Sequence, residues 1–99
     1  NLYQDHLRSL RGVRLAATLG FGLPPRTREA LCRHARFLQA HPEALPARDR
    51  VKEELTGLLL SPRAAFGLRL LETTGLLGVY LPEFLPLVGL HQGGVHHLP

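Results

Sequence analysis

The sequence predicts an all-α chain, a small irregular array of about four main helices followed by short C-terminal helical turns. Three observations carry this. Leucine dominates the apolar residues while β-branched residues are sparse, a balance that favours helix over sheet. Apolar residues recur at helical spacing in several stretches, with no period-two run and no internal repeat. Gly20, Pro25, Ser61-Pro62 and Gly75 fall where helices would start and stop.

The first helix is expected from about Tyr3 to Leu19, closing at Gly20. At roughly 100° per residue, Leu2, Tyr3, Leu7, Leu10, Val13 and Ala17 share one apolar face. Asp5, Arg8 and Gly12 fall on the opposite side, with Arg11 and Arg14 on its flank. The loop Phe21-Gly22-Leu23-Pro24-Pro25 breaks the pattern. Pro25 suits the first turn of a second helix ending near Ala40, with Ala30, Leu31, Ala35 and Leu38 as its buried stripe. His41-Pro42 to Pro46 reads as a linker. A third helix follows from about Ala47 to Leu60, burying Val51, Leu55, Leu58 and Leu59. Ser61 as a cap and Pro62 in the first turn open a fourth, which runs to Thr74 before Gly75. Leu76 to Leu90 reads as short apolar turns punctuated by Gly78, Pro82, Pro86 and Gly89.

Ninety-nine residues, 44% hydrophobic and 20% charged, suit a folded chain with a limited core rather than a disordered one. Basic side chains number 12 against 8 acidic, giving a net charge of +4, and all the basic ones except Lys52 are arginine. Arginine grips phosphate and base edges with a planar fork, so this balance leans toward a polyanionic partner. A GC-rich genome would enrich arginine as well, and composition alone weighs the two equally. Position adds information. Arg8, Arg11, Arg14, Arg26, Arg28, Arg33 and Arg36 crowd the first third, opposed only by Asp5 and Glu29. Lone Cys32 reads as a buried structural thiol in a cytoplasmic protein. No stretch has transmembrane length and no signal peptide is visible, so no membrane partner is expected. Opening on Asn1 and stopping at His97-Leu98-Pro99, the chain reads as part of a longer protein.

The strongest chemical candidate is Gln4-Asp5-His6-Leu7-Arg8, continuing Ser9-Leu10-Arg11-Gly12-Val13-Arg14. Asp5 and Arg8 are neighbours on a helix surface. A carboxylate accepts and a guanidinium donates, so side by side they form a strip able to pair with a nucleobase edge. From spacing alone an ordinary surface ion pair is the commoner outcome.

Asp5-His6-Leu7-Arg8-Ser9-Leu10-Arg11-Gly12-Val13-Arg14-Leu15-Ala16, then Leu19-Gly20-Phe21, resembles the neck signature of class II tRNA nucleotidyltransferases and bacterial poly(A) polymerases. The resemblance continues in order through Thr27-Arg28-Glu29-Ala30, Arg50-Val51-Lys52-Glu53-Glu54-Leu55, Gly67-Leu68-Arg69-Leu70-Leu71, Gly75-Leu76-Leu77, Leu81-Pro82-Glu83-Phe84 and Gln92…His96-His97. It implies that residues 1–42 form neck-like nucleotide-template helices and 43–99 begin a body-like RNA-binding region. It implies that Asp5 and Arg8 template incoming CTP or ATP, with Arg11 and Arg14 supporting the pocket or its phosphates. Arg50 and Glu54 match a motif that buttresses the pocket from a neighbouring helix. Their spacing equally allows a plain i,i+4 pair. Arg26, Arg28, Arg33 and Arg36 are expected to meet the phosphates of tRNA near its 3′ end. Two departures stand out: Gln4 replaces the customary Glu, and Leu15 the customary Phe.

The resemblance also implies a catalytic head, with Mg2+ on paired carboxylates, upstream of Asn1. No catalytic or metal-ligating residue is expected here. Adjacent Glu53 and Glu54 point about 100° apart on a helix and cannot readily share a metal, so the chain by itself is expected to be inactive. His91, His96 and His97 are weak evidence for a metal site; in relatives the matching stretch introduces an HD-type phosphohydrolase domain. His6 and His34 are read as helix-surface residues. The competing readings are a poly(A) polymerase, which shares these motifs, and a non-catalytic helical module. An RNA-binding module would show a broad basic face, and a protein-binding one an exposed apolar patch around Leu81 to Leu90.

Overall fold

The computed structural model describes residues 2–20 and 22–84, with side chains from residue 6 onward. Helix α1 spans Leu2–Leu19, α2 Pro25–Ala40, α3 Arg48–Leu59, α4 Ala64–Thr74 and α5 Leu76–Tyr80, with single 3-10 turns at Pro42–Ala44 and Pro82–Phe84. No strand occurs among the described residues, and the all-α expectation holds.

Local chemistry sets most boundaries. Gly20 adopts φ 78° and its amide reaches the Ala16 carbonyl, ending α1 in the left-handed conformation that glycine tolerates. Pro24, extended at φ −60° and ψ 153°, leads into Pro25, whose missing N–H costs nothing in a first turn. At the other end of α2 the His41 amide closes on the Phe37 carbonyl before Pro42 stops the helix. Gly75, at φ 89°, separates α4 from α5, a left-handed break within one residue that glycine accepts.

The fourth helix starts two residues later than the sequence suggests. Ser61 does not cap it: its hydroxyl donates to the Leu58 carbonyl at 2.6 Å, finishing α3 instead. Side-chain chemistry alone cannot say which of two flanking helices a serine serves.

One core joins all five helices. It takes Leu7, Leu10, Val13 and Ala17 from α1, Leu31, Ala35 and Leu38 from α2, and Val51, Leu55 and Leu58 from α3. Leu70 and Leu71 of α4, Leu76, Leu77 and Tyr80 of α5, and Leu81 complete it. Helix α1 lies chiefly against α3 and then α4, while α2 lies on α5 and α4. Gly67 permits the close approach of α4, since a Cβ there would run into the Leu58 side chain and stand 3.3 Å from the Ala17 Cβ.

Two stripe positions are corrected. Ala30 is exposed, and Leu59 is 48% exposed. Both lie at the edge of an apolar arc, where the crossing of the neighbouring helix, not periodicity, decides burial. Cys32 is half-buried rather than buried. Leu2 and Tyr3 as packing side chains, and the expected turns and apolar patch from residue 85 to Leu90, lie outside the described residues, as do His91, His96 and His97. Leu81, at the start of that patch, is buried.

Candidate nucleic-acid interface

Burying Leu7, Leu10 and Val13 turns the opposite side of α1 outward, and Arg8, Arg11 and Gly12 are exposed there. A Cβ on Gly12 would meet nothing within 4 Å, so this face stands open beside Arg8. The Asp5 backbone lies in the first turns of α1, while its side chain is outside the described part.

Behind this face, α3 supplies one carboxylate to two arginines. Arg14 Nε donates to Glu54 Oε1 at 2.6 Å and Arg11 Nε to Glu54 Oε2 at 3.2 Å. The Glu54 side chain is only 11% exposed, against 28% for Arg14 and 44% for Arg11. Charge-assisted bonds of this kind fix orientation as well as adding energy. Gly57 makes them possible. It lies one helical turn beyond Glu54, and a Cβ there would stand 2.6 Å from the Arg14 Cδ.

The i,i+4 pair of Arg50 with Glu54 does not form. Among the described residues Arg50 is exposed and makes no ion pair. Glu54 faces inward and Glu53 outward, so the adjacent carboxylates diverge. No group of three metal-ligating side chains exists among the described residues, and Glu54 has both oxygens committed to arginines. This donor set does not fit a divalent metal.

On α2, Arg26, Arg28, Arg33 and Arg36 are all exposed. Arg28, Arg33 and Arg36 edge a shallow depression with Glu29 and Cys32. Arg28 also borders a small cleft with Phe66 and Arg69 of α4. The basic surface is thus continued by Arg69, and Arg63 adds a cation at the α3–α4 corner. Its guanidinium lies 4.6 Å from the Phe66 ring centroid and donates to the Gly20 carbonyl. Sequence reading missed Arg69 because only the α2–α4 crossing brings it beside Arg28.

It also misread two histidines. His6 and His34 are half-buried, and His6 Nδ1 lies 3.0 Å from His34 Nε2. Their rings stack at 5.3 Å, and His6 stacks on Phe37 at 5.2 Å. Ser9 Oγ is 2.5 Å from His34 Nδ1, and the Tyr80 hydroxyl donates to the His6 carbonyl. Burial, and then the charge of His6, lower the His34 pKa below its ordinary value. Burial also pushes the Tyr80 phenol up. A signal was present: His34 sits three residues after Leu31 and four before Leu38, and His6 four before Leu10, at the rim of each buried stripe.

Residues 20–87 match the family described as the "probable RNA and SrmB-binding site of polymerase A". Over its whole length the chain is 90% identical to a CC-adding tRNA nucleotidyltransferase of Thermus thermophilus. It is 47% identical over 98 residues to an A-adding tRNA nucleotidyltransferase of Deinococcus radiodurans. A CCA-adding enzyme of Geobacillus stearothermophilus matches 80% of the chain at 42% identity. The chain spans 23% of the length of the first two relatives and 18% of the third. No solved structure gives a significant match. No helix among the described residues is long and apolar enough to cross a membrane.

Proposed function

This chain belongs to the tRNA nucleotidyltransferase family, and we propose that it forms the neck and early body of an enzyme that adds nucleotides to the 3′ end of tRNA. CC addition is the specific activity proposed, since the relative at 90% identity is a CC-adding enzyme. In this reading residues 1–42 are the nucleotide-reading part and 43–99 the start of the RNA-holding part. The division is one of function, laid over a single hydrophobic core.

Asp5 and Arg8 read the Watson–Crick edge of CTP or ATP, the carboxylate accepting from the exocyclic amine and the guanidinium donating to ring nitrogen or carbonyl oxygen. Arg11 and Arg14 border the pocket with Glu54 as their support. Their fixed orientation lets a charge be presented without being re-ordered at each turnover. Arg50 is assigned to the same surroundings from the α3 side. Arg26, Arg28, Arg33 and Arg36, with Arg69 alongside, hold tRNA phosphates, and such contacts position the substrate without reading its sequence. Mg2+ and the carboxylates that bind it are assigned, in this reading, to a catalytic head outside these residues. The cytoplasm, where tRNA matures, is the compartment proposed.

The single observation that supports this reading most is the open Arg8–Gly12 face of α1, backed by the Arg11–Glu54–Arg14 clamp. The test is transfer of CMP and AMP to tRNA lacking its terminal CCA, by the nucleotidyltransferase that contains this chain. Asp5→Ala and Arg8→Ala are expected to remove base discrimination or activity while the protein stays folded. Wild-type rates and base choice in both variants would reduce the pair to a helix salt bridge. A poly(A) polymerase is the second reading, favoured by the wording of the matched family. Sustained AMP addition to unrelated RNA ends would select it.

A further inference from the structure

Helices α1 and α2 barely approach backbone to backbone. What joins the nucleotide-reading end of α1 to α2 is a side-chain cluster: His6 and Ser9 from α1, His34 and Phe37 from α2. His6 sits between Asp5 and Arg8 in sequence, and its carbonyl is held from α5 by the Tyr80 hydroxyl. Whatever fixes His6 therefore fixes the backbone that carries the reading pair.

We propose that the His6–Ser9–His34 cluster is a proton-sensitive positioning element that seats the Asp5–Arg8 turn of α1 on α2. This rests on the nucleotide-reading role of that turn. The chemistry follows from the hydrogen-bond inventory. A neutral imidazole has one donor and one acceptor nitrogen. With both rings neutral, the bonds run in one direction through Ser9, His34 and His6, each nitrogen in the chain finding a complement. One proton can be shared, because a charged His6 donates from Nδ1 to the free Nε2 of a neutral His34. A second proton leaves two donors facing each other at 3.0 Å, and the cluster must open.

The surroundings offer little to offset that second charge. Phe37 covers one face of His6. Phe37 is also in ring contact with His41, whose Nδ1 is 3.2 Å from a Glu43 carboxylate oxygen, so that carboxylate already has a partner. Tyr80 supplies an uncharged hydroxyl. Among the described residues no charged side chain of α3 hydrogen-bonds or ion-pairs with either ring. Asp5 and Arg8 flank His6 on α1 itself. The lowered affinity of His34 for a proton agrees with this setting.

The experiment has two readouts. In the first, histidine ring and backbone amide signals of the protein are followed by NMR from about pH 8 to about pH 5, the range in which histidine titrates. In wild type the amides of residues 6–9 are expected to shift along the His34 titration curve. In His34→Gln, which keeps a donor and an acceptor but does not titrate, they are expected to stay put. In His6→Gln the His34 curve should move back toward the ordinary value. Independent titration of the rings with no response of the α1 amides overturns the proposal.

In the second readout, discrimination between CTP and ATP by the enzyme containing the chain is measured over the same range. Wild type is expected to lose at least about fivefold of its discrimination at the acid end, the low end of ordinary site-to-site coupling, while His34→Gln holds it flat. An acid limb equal in both proteins overturns the proposal. Should Asp5→Ala leave base choice intact while the amides still follow His34, the positioning stands and the nucleotide-reading role is what has failed.

Discussion

Gly67→Ala and Gly12→Ala are the same chemical change on two helices, and the structure gives them opposite signs. Replacing a helical glycine by alanine gains about 0.8–1.0 kcal/mol of helix propensity wherever nothing else is disturbed. Gly12 meets that condition, since an added Cβ finds no atom within 4 Å. Gly67 does not. Its Cβ would run into the Leu58 Cδ1, stand 3.2 Å from the Leu58 Cγ and stand 3.3 Å from the Ala17 Cβ. Leu58 is 0% exposed and has no solvent into which to turn. Overpacking of this kind costs about 1–3 kcal/mol, so the net for Gly67→Ala is a loss of roughly 1 kcal/mol after the propensity gain. For a domain of this size each kcal/mol moves Tm by about 4–8 °C. Thermal unfolding followed by circular dichroism should therefore show Gly12→Ala above wild type and Gly67→Ala below it, by comparable steps. A Gly67→Ala protein as stable as Gly12→Ala would refute the close seating of α4 on α3 and α1, and with it the shared core.

Three further outcomes follow from the site. Glu54→Gln keeps the shape but removes the charge facing Arg11 and Arg14. With the carboxylate largely buried and both arginines partly solvated, a loss of about 1–2 kcal/mol is expected by urea denaturation. An unchanged midpoint would mean the clamp contributes nothing net. Because the folded chain depresses the His34 pKa, the folded state holds that proton less tightly than the unfolded one. Its contribution to stability should be full above about pH 6.5 and lost as pH falls through the lowered folded value. Denaturation of wild type beside His34→Gln across that window reads the difference, and parallel curves would exclude His34 as the source. Finally, replacing Arg28, Arg33 or Arg36 singly by Gln should weaken tRNA binding irrespective of sequence. Each should reduce the slope of log affinity against log salt by about 1, and an unaltered slope would take that arginine off the phosphate-binding face.

What the sequence by itself determined is what neighbours along the chain decide. Gly20 and Gly75 end helices because they accept positive φ, and Pro25 opens one because its φ suits a first turn. Leu7, Leu10 and Val13 face inward because helical periodicity puts them on one side, and this already commits Arg8 and Gly12 to the other. The ordered motifs from Asp5 to Phe84 were legible for the same reason, being local strings.

The tertiary structure decided everything that depends on how one helix crosses another. Glu54 had Arg50 at ideal spacing on its own helix, yet it turns to Arg11 and Arg14. The inward side of α3 is where α1 lies, and Gly57 leaves room there for an arginine. His6 and His34, 28 residues apart, meet because two stripe edges converge over α5. Arg69 joins the arginines of α2 only through the α2–α4 crossing. Periodicity gives the direction in which a side chain leaves its helix. The partner it finds is set by the angle and register of the neighbouring helix, and those are fixed by the packing of the whole core.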